Sequence, residues 1–426
     1  MYDRNRTRLA VVLLCLGFVA AWPALAEERH VPIPYTTIQE AIDACNPSDT
    51  VVVADGTYTD AGNKNLDFGG EAITVRSEYG PDNCIIDCEQ DGRGFYFHTG
   101  ESDLSVVDGF TIQNGFATTG HPGGFSGGGI LNVNSHPTVI RCIFRENRTD
   151  DVGGGMANLQ GSCPKVTSCT FVGNLAADGG GMWNQDESSP TLTNCVFEAN
   201  SVYSSYNPAG GGICNLHNSS PILYNCKFIG NTATNGTTWC YGGAVGSWFA
   251  SRPTLTNCTF FANMSDDFGG AVYNSEDADS PMMVNCILWG NTAPAGSQIY
   301  GAATVAYSCV QGGWPGEGNI DTDPLFFPAN SDDYHLMPFS PCIDAGDTTA
   351  VPADLFVDLD GLGRRLDHAW TADTGVPVGL IPVTVDMGAY EYHVRRGDIN
   401  CDGDVNAYDI DGFILCVGQG YCDPCP

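Results

Sequence analysis

The densest set of metal-type ligands in the sequence runs Asp398-Ile-Asn-Cys-Asp-Gly-Asp-Val-Asn-Ala-Tyr-Asp409. Counted as a twelve-residue loop, it sets oxygen-bearing side chains at positions 1, 3, 5, 9 and 12: Asp398, Asn400, Asp402, Asn406 and Asp409. Gly403 falls at position 6, where a sharp turn is needed, and Asp404 at position 7 offers its backbone carbonyl. All-oxygen donors at this spacing suit Ca2+ better than the rigid octahedron of Mg2+. The expectation is one Ca2+ held by Asp398, Asn400, Asp402, Asp404, Asn406 and Asp409. A polar linker is the plain alternative.

A second set of reactive types lies in mid-chain. Asp150 and Asp151, Asp178, and Asp266 and Asp267 each precede a glycine-rich turn, and Arg141, Arg145, Arg148 and Lys165 are the candidate bases. Carboxylates beside a base could remove a sugar proton, and paired carboxylates could hydrolyse a glycosidic bond. The spacing matches no lyase or hydrolase motif, and Pro208-Ala209 and Cys240-Tyr241 occupy the acidic place in two of the turns. Solvated acidic turns are the simpler reading, so no catalytic residue is assigned.

What must position these groups is a repeat. Glycine-rich turns ending in Ile130, Met156, Met182, Ile213, Val245 and Val272 alternate with β-favouring runs carrying Cys142, Cys169, Cys195, Cys226, Cys258 and Cys286. Each cysteine is followed five places on by Asn147, Asn174, Asn200, Asn231, Asn263 or Asn291, and five of them two places on by Phe144, Phe171, Phe197, Phe228 or Phe260. Units of this length stack neighbour on neighbour. Leu255 and Cys258 are three apart, so they share an interior only if the chain bends between them; Asn257 tolerates the left-handed conformation of such a corner. Asn194, Asn225 and Asn285 occupy the same place, with Arg141 and Ser168 in the other two coils. Three short strands and three corners per coil predict a right-handed parallel β-helix, with coils ~4.8 Å apart. The Phe column is expected in the core, and the Asn columns, including Asn132, Asn158, Asn184, Asn215 and Asn274, are read as structural ladders.

The Gly-Gly-Ala-apolar segments (Gly242–Val245, Gly269–Val272) and the Phe-x-x-Asn segments resemble the repeats of polymorphic outer-membrane proteins, within the wider pectin-lyase-like superfamily. The resemblance implies the β-helix over about 120–295, not a function, because the fold hosts lyases, hydrolases, adhesins and inert stalks. Asp323-Pro-Leu-Phe326, Ser340-Pro-Cys-Ile-Asp-Ala-Gly-Asp347, Asp358-Leu-Asp-Gly361, Arg364 and Asp386–Tyr392 resemble the C-terminal end of secreted "choice-of-anchor" β-helix proteins, implying a cap and an attachment context. The loop at 398–409 resembles one half of a type I dockerin. A complete dockerin has two such repeats, so the single copy bears against a cohesin-like partner.

Arg4, Arg6 and Arg8, the apolar run Leu9–Ala21 and Ala24-Leu25-Ala26 read as a secretory signal, so the mature chain is expected outside the cell or at its surface, with no transmembrane segment. With 50 acidic against 17 basic residues the net charge is −33, which excludes nucleic acid as a natural partner. The repeat cysteines are read as buried thiols; Cys84 with Cys88, and Cys401, Cys416, Cys422 and Cys425, are the pairs expected to oxidise. Thr37–Cys45 has a helical pattern suited to plugging the open end of the solenoid. The organisation expected is a signal peptide at 1–26, an N-terminal cap at 27–60, a β-helix at 61–312, a C-terminal cap at 313–394 and a calcium loop at 395–426. The expected function is a non-enzymatic adhesion, carbohydrate-interaction or structural protein, possible partners being extracellular polysaccharide or a cell-surface component. The alternative is a polysaccharide lyase or glycoside hydrolase of the same superfamily.

Overall fold

A computed structural model of the chain describes residues 26–204, 207–234, 238–327, 333–368, 371–378 and 383–393. All but the last residue of the expected leader, and the whole loop 398–409, lie outside them. The described chain winds as a solenoid of short parallel strands in three long sheets of 11, 10 and 8 strands, with a small 4-stranded sheet at one corner. Each strand pairs with its equivalent one coil on, so that Phe144 lies in register with Phe171, Phe171 with Phe197, Phe197 with Phe228 and Phe228 with Phe260.

The corner between the first and second sheets is where the parity of the sequence places it. Arg141, Ser168, Asn194, Asn225, Asn257 and Asn285 all have positive φ, from 50° to 57°. Arg141 and Ser168 adopt it as Asn does, so the corner is imposed by the stack and Asn merely suits it. Beyond the corner the Phe rings stack at centroid distances of 4.5, 4.6, 4.9 and 4.7 Å, all fully buried. Burial of each ring contributes roughly 1.5–3 kcal/mol before conformational entropy is subtracted. Columns of Val139, Val166, Leu192, Leu223 and Leu255 from the first sheet, and Ile130, Met156, Met182, Ile213 and Val245 from the third, complete the core.

The Asn columns are ladders, and their bonding explains why one Asn recurs per coil. Asn200 donates Nδ2–H to Phe171 O (2.8 Å) and to Asn231 Oδ1 (2.9 Å). Its Oδ1 accepts from the backbone N–H (3.1 Å) and side chain (2.8 Å) of Asn174. A buried amide so saturated costs nothing in unmet polarity, whereas deletion would strand its neighbours. A second ladder joins Asn132, Asn158, Asn184 and Asn215 but, against expectation, stops there, because Ser247 takes the next place and Asn274 donates to Ala302 O instead. A further column escaped the sequence reading: the backbone N–H of Ser135 donates to Ser162 Oγ, Ser162 to Ser188 and Ser219 to Ser251. The repeat cysteines are free and buried, and burial pushes the Cys169, Cys226 and Cys286 thiols well above their usual range. Cys84 and Cys88 are also free thiols, against expectation. Four residues along an extended chain separate them by ~13 Å, beyond the reach of about 7 Å that a disulfide allows.

The two ends differ. The helix Ile38–Asp43 starts at a Thr37–Glu40 capping box and turns Ile38, Ala41 and Ile42 into the open core. Glu28–Val31 and Thr50–Val53 on either side of it already belong to the first sheet. At the far end Trp314 packs against the core, its indole N–H reaching Ala303 O. The following segment does not continue the stack. It lies along the outside of the second sheet and the first corner, where Asn225 donates to Val357 O, Asn257 to Asp386 O and Asn285 to Asp347 O. Ile229 and half-buried Phe261, which point outward, are covered by Tyr334, Ala389 and Tyr390. The residues resembling a choice-of-anchor end form a polar knot within this cover, with Arg364 fully buried against Glu391 at 3.4 Å and donating to Asp386 O and Gly388 O. No helix among the described residues is long and apolar enough to cross a membrane.

Candidate functional site

Alternate residues of the third sheet point away from the core, and their column is irregular: Leu131, Ala157, Trp183, Cys214, Gly246, Tyr273 and Tyr300. At the N-terminal end of this face, Gly123 lies in the left-handed region (φ 76°), and a Cβ on it would stand 2.6 Å from Leu131 Cδ2. The loop containing it is pinned by buried Arg93, which donates to the carbonyls of Pro122, Gly124, Ser126 and Gly127. That loop shelters the face at Leu131; past Ala157 an aromatic surface begins.

Trp183 forms the floor of a cavity of about 300 Å³ bounded by Asp178, Asn207, Leu216, Tyr241, Trp248 and Phe249. The Trp248 ring lies over Gly246, where a Cβ would be 2.7 Å from its Cζ3, so the bare glycine makes room for the indole. Tyr241 meets Trp248 edge-on at 5.6 Å and Tyr273 at 4.6 Å, and Trp248 lies 4.9 Å from Tyr273. Phe268 and Tyr300 prolong the surface, 4.8 Å apart. Along the rim, Asp186 Oδ1 pairs with His217 Nδ1 at 3.0 Å, and the His217 ring stacks on exposed Phe249 at 5.0 Å.

Asp178 is the carboxylate in the cavity wall. Its Oδ1 accepts the Ala209 N–H at 2.8 Å, yet burial, reinforced by the charge of Asp151, pushes its pKa up to about 7. The other acidic turns do not join it there. Asp151 takes the Ser126 hydroxyl at 2.6 Å, Asp267 takes the Cys240 N–H at 2.9 Å, and exposed Asp150 lies 3.7 Å from Arg148. The candidate bases are scattered. Arg141 pairs with Asp108 and Lys165 with Asp103 on the first sheet and its corner, and Arg145 projects from the second sheet. Among the described residues, no Lys or Arg lines the cavity. Of the mid-chain acidic and basic candidates, only Asp178 is among the described residues that line it, and the aromatic residues around it were not foreseen.

A family model described as the right-handed beta helix region matches residues 159–310. The solenoid is a right-handed parallel β-helix. No curated protein matches the chain. Among solved structures, the pectate lyase Pel9A is 13% identical over 84% of this chain and 91% of its own, with a TM-score of 0.46. A carrot pectin methylesterase is 12% identical over 61% and 81%, with a TM-score of 0.40. One from Aspergillus niger is 14% identical over 62% and 84%, with a TM-score of 0.37. Likeness at this level concerns the β-helix alone and says nothing of chemistry.

Proposed function

We propose that the outer face of the third sheet is a saccharide-binding surface, and that the protein is an exported carbohydrate-interaction protein. The observation that carries this reading is the aromatic cavity at Asp178. Ring faces of Trp183, Tyr241 and Trp248 offer flat apolar contact for the C–H face of a sugar, while Asp178, Asn207 and the rim residues offer partners for its hydroxyls. The volume suits one or two sugar units of a longer chain rather than a large cofactor. An acidic wall without a cation, on a chain of net charge −33, favours a neutral saccharide over a polyuronate.

One observation favours a second reading. A carboxyl with a pKa of about 7 is suited to general-acid catalysis, so a hydrolase is the competing function. A glycoside hydrolase of the common type needs a second carboxylate across the bond, and among the described residues Asp178 is the only one lining the cavity. Incubation with neutral and acidic polysaccharides, scoring new reducing ends and unsaturated ends, decides between the two. Binding without turnover supports the first; turnover abolished in Asp178→Asn would replace it by the second.

The context of this surface is also proposed. The basic and apolar leader supports export, and the loop of Asp398, Asn400, Asp402, Asp404, Asn406 and Asp409 is proposed to bind Ca2+ on the strength of its ligand spacing.

A further inference from the structure

Asp344, Asp367 and Asp373 each present a carboxylate oxygen within 4.8 Å of the others, in the segment packed along the first corner. The main chain forces this convergence. Thr374 and Gly375 both donate their N–H to Asp344 O, at 3.0 and 3.2 Å, and His368 donates its N–H to Asp344 Oδ1 at 3.3 Å. Gly375 passes so close that a Cβ would stand 2.0 Å from Gly346 O. Asp367 and Asp373 are thus anchored next to backbone contacts that hold them over Asp344.

Asp344 itself is fully buried, and its Oδ2 has no hydrogen-bond partner among the described residues. A buried carboxylate oxygen facing two further carboxylates has to be neutralised, and a cation shared by all three would do so. Neighbouring cationic groups are committed elsewhere: Arg364 lies on Glu391, and Arg365 donates to the carbonyls of Val351, Pro352 and Leu355. His368 Nδ1 is engaged by Thr371 Oγ1 at 2.9 Å. Behind Asp344, Asp386 adds further negative charge while accepting the Asp344 N–H at 2.7 Å.

We propose that Asp344, Asp367 and Asp373, none of them a residue of the loop 398–409, bind a Ca2+ ion that fastens Asp367 and the 371–375 segment to the cover of the second sheet. The donors are all hard oxygens, which excludes softer metals as natural ligands. Oxygens within 4.8 Å of one another can share Ca2+, whose bonds are about 2.3–2.6 Å and whose shell is flexible, whereas Mg2+ demands a near-ideal octahedron and gives up its waters reluctantly. Backbone carbonyls and water complete the shell.

The test uses the full chain carrying Asp398→Ala and Asp409→Ala, which silences the loop. Calorimetry with CaCl2 should then still find one Ca2+ per chain. Adding Asp373→Asn or Asp367→Asn, both exposed and safe for folding, should weaken it at least tenfold, with MgCl2 a poor competitor. No uptake at millimolar Ca2+ in the silenced chain, or an affinity unchanged by either Asn substitution, would overturn the proposal.

Discussion

The outer faces of the second and third sheets receive opposite treatment from the same chain. On the second, Ile229 and Phe261 are covered by Tyr334, Ala389 and Tyr390, and Lys227 Nζ lies over the two tyrosine rings at 5.3 and 5.5 Å. On the third, Trp183 and Tyr273 are buried among neighbouring rings rather than under the C-terminal segment, and half-buried Tyr241 and Trp248 with exposed Phe249 edge a cavity. A chain able to bury outward apolar side chains under its own C-terminal segment does so on one face, and on the more aromatic face leaves the rings to pack on one another around a cavity. The difference teaches that outward aromatics here divide into those that fasten a cover and those free to meet a ligand.

The strongest contrast lies between inward and outward rings. Phe197→Ala should cost about 3–5 kcal/mol, because the stacked neighbours cannot collapse into the gap. Trp248→Ala, at the cavity edge, should cost less than about 1 kcal/mol. Chemical denaturation of both variants measures this, and equal losses would erase the distinction. Next in size is the cover itself. Asn257→Ala leaves Asp386 O with Arg364 Nη2 as its remaining donor and removes an acceptor of Asn285 Nδ2, a buried loss of about 1–3 kcal/mol. Limited proteolysis should then release fragments from 322–393 while the solenoid stays resistant; cleavage in the solenoid first would mean that the two regions unfold together.

A smaller effect follows from Asp178. Its folded pKa of about 7 stands above the ordinary 3.8, so between those values the folded state holds a proton that the unfolded state has lost. Stability should therefore rise as pH falls from about 7 towards 4, and the penalty should be complete above pH 7. Melting of the protein at pH 7.5 and 5.5, beside Asp178→Asn, reads this directly: the neutral variant should lose that share of the slope. A variant with an unchanged slope would place Asp178 in water and remove it from the cavity wall.

Legibility in the sequence follows the same division. Phe171, Cys169 and Asn174 recur with one spacing because each must stack on its own kind, so the interior could be read coil by coil, even to the bend at Asn257. The Ser135, Ser162 and Ser188 column left a signal, three or four residues after Asn132, Asn158 and Asn184, that passed unread. The cavity left none. Trp183, Cys214 and Gly246 occupy one column with unlike side chains, and Tyr241 and Trp248 reach them from different offsets, so only stacking brings them together. Asp178 was visible as an acidic turn, but its burial depends on Ala209, a coil away. The lateral cover was equally hidden, since Asn257 meets Asp386 across more than a hundred residues.

The central claim is that the aromatic face binds a neutral saccharide, and calorimetry of the purified protein against neutral oligosaccharides and oligogalacturonate tests it most directly. The account predicts that a neutral oligosaccharide binds, that oligogalacturonate does not, and that Trp248→Ala weakens binding at least tenfold with its fold intact. Absence of binding to every neutral saccharide, preference for oligogalacturonate, or unchanged affinity in Trp248→Ala would contradict it.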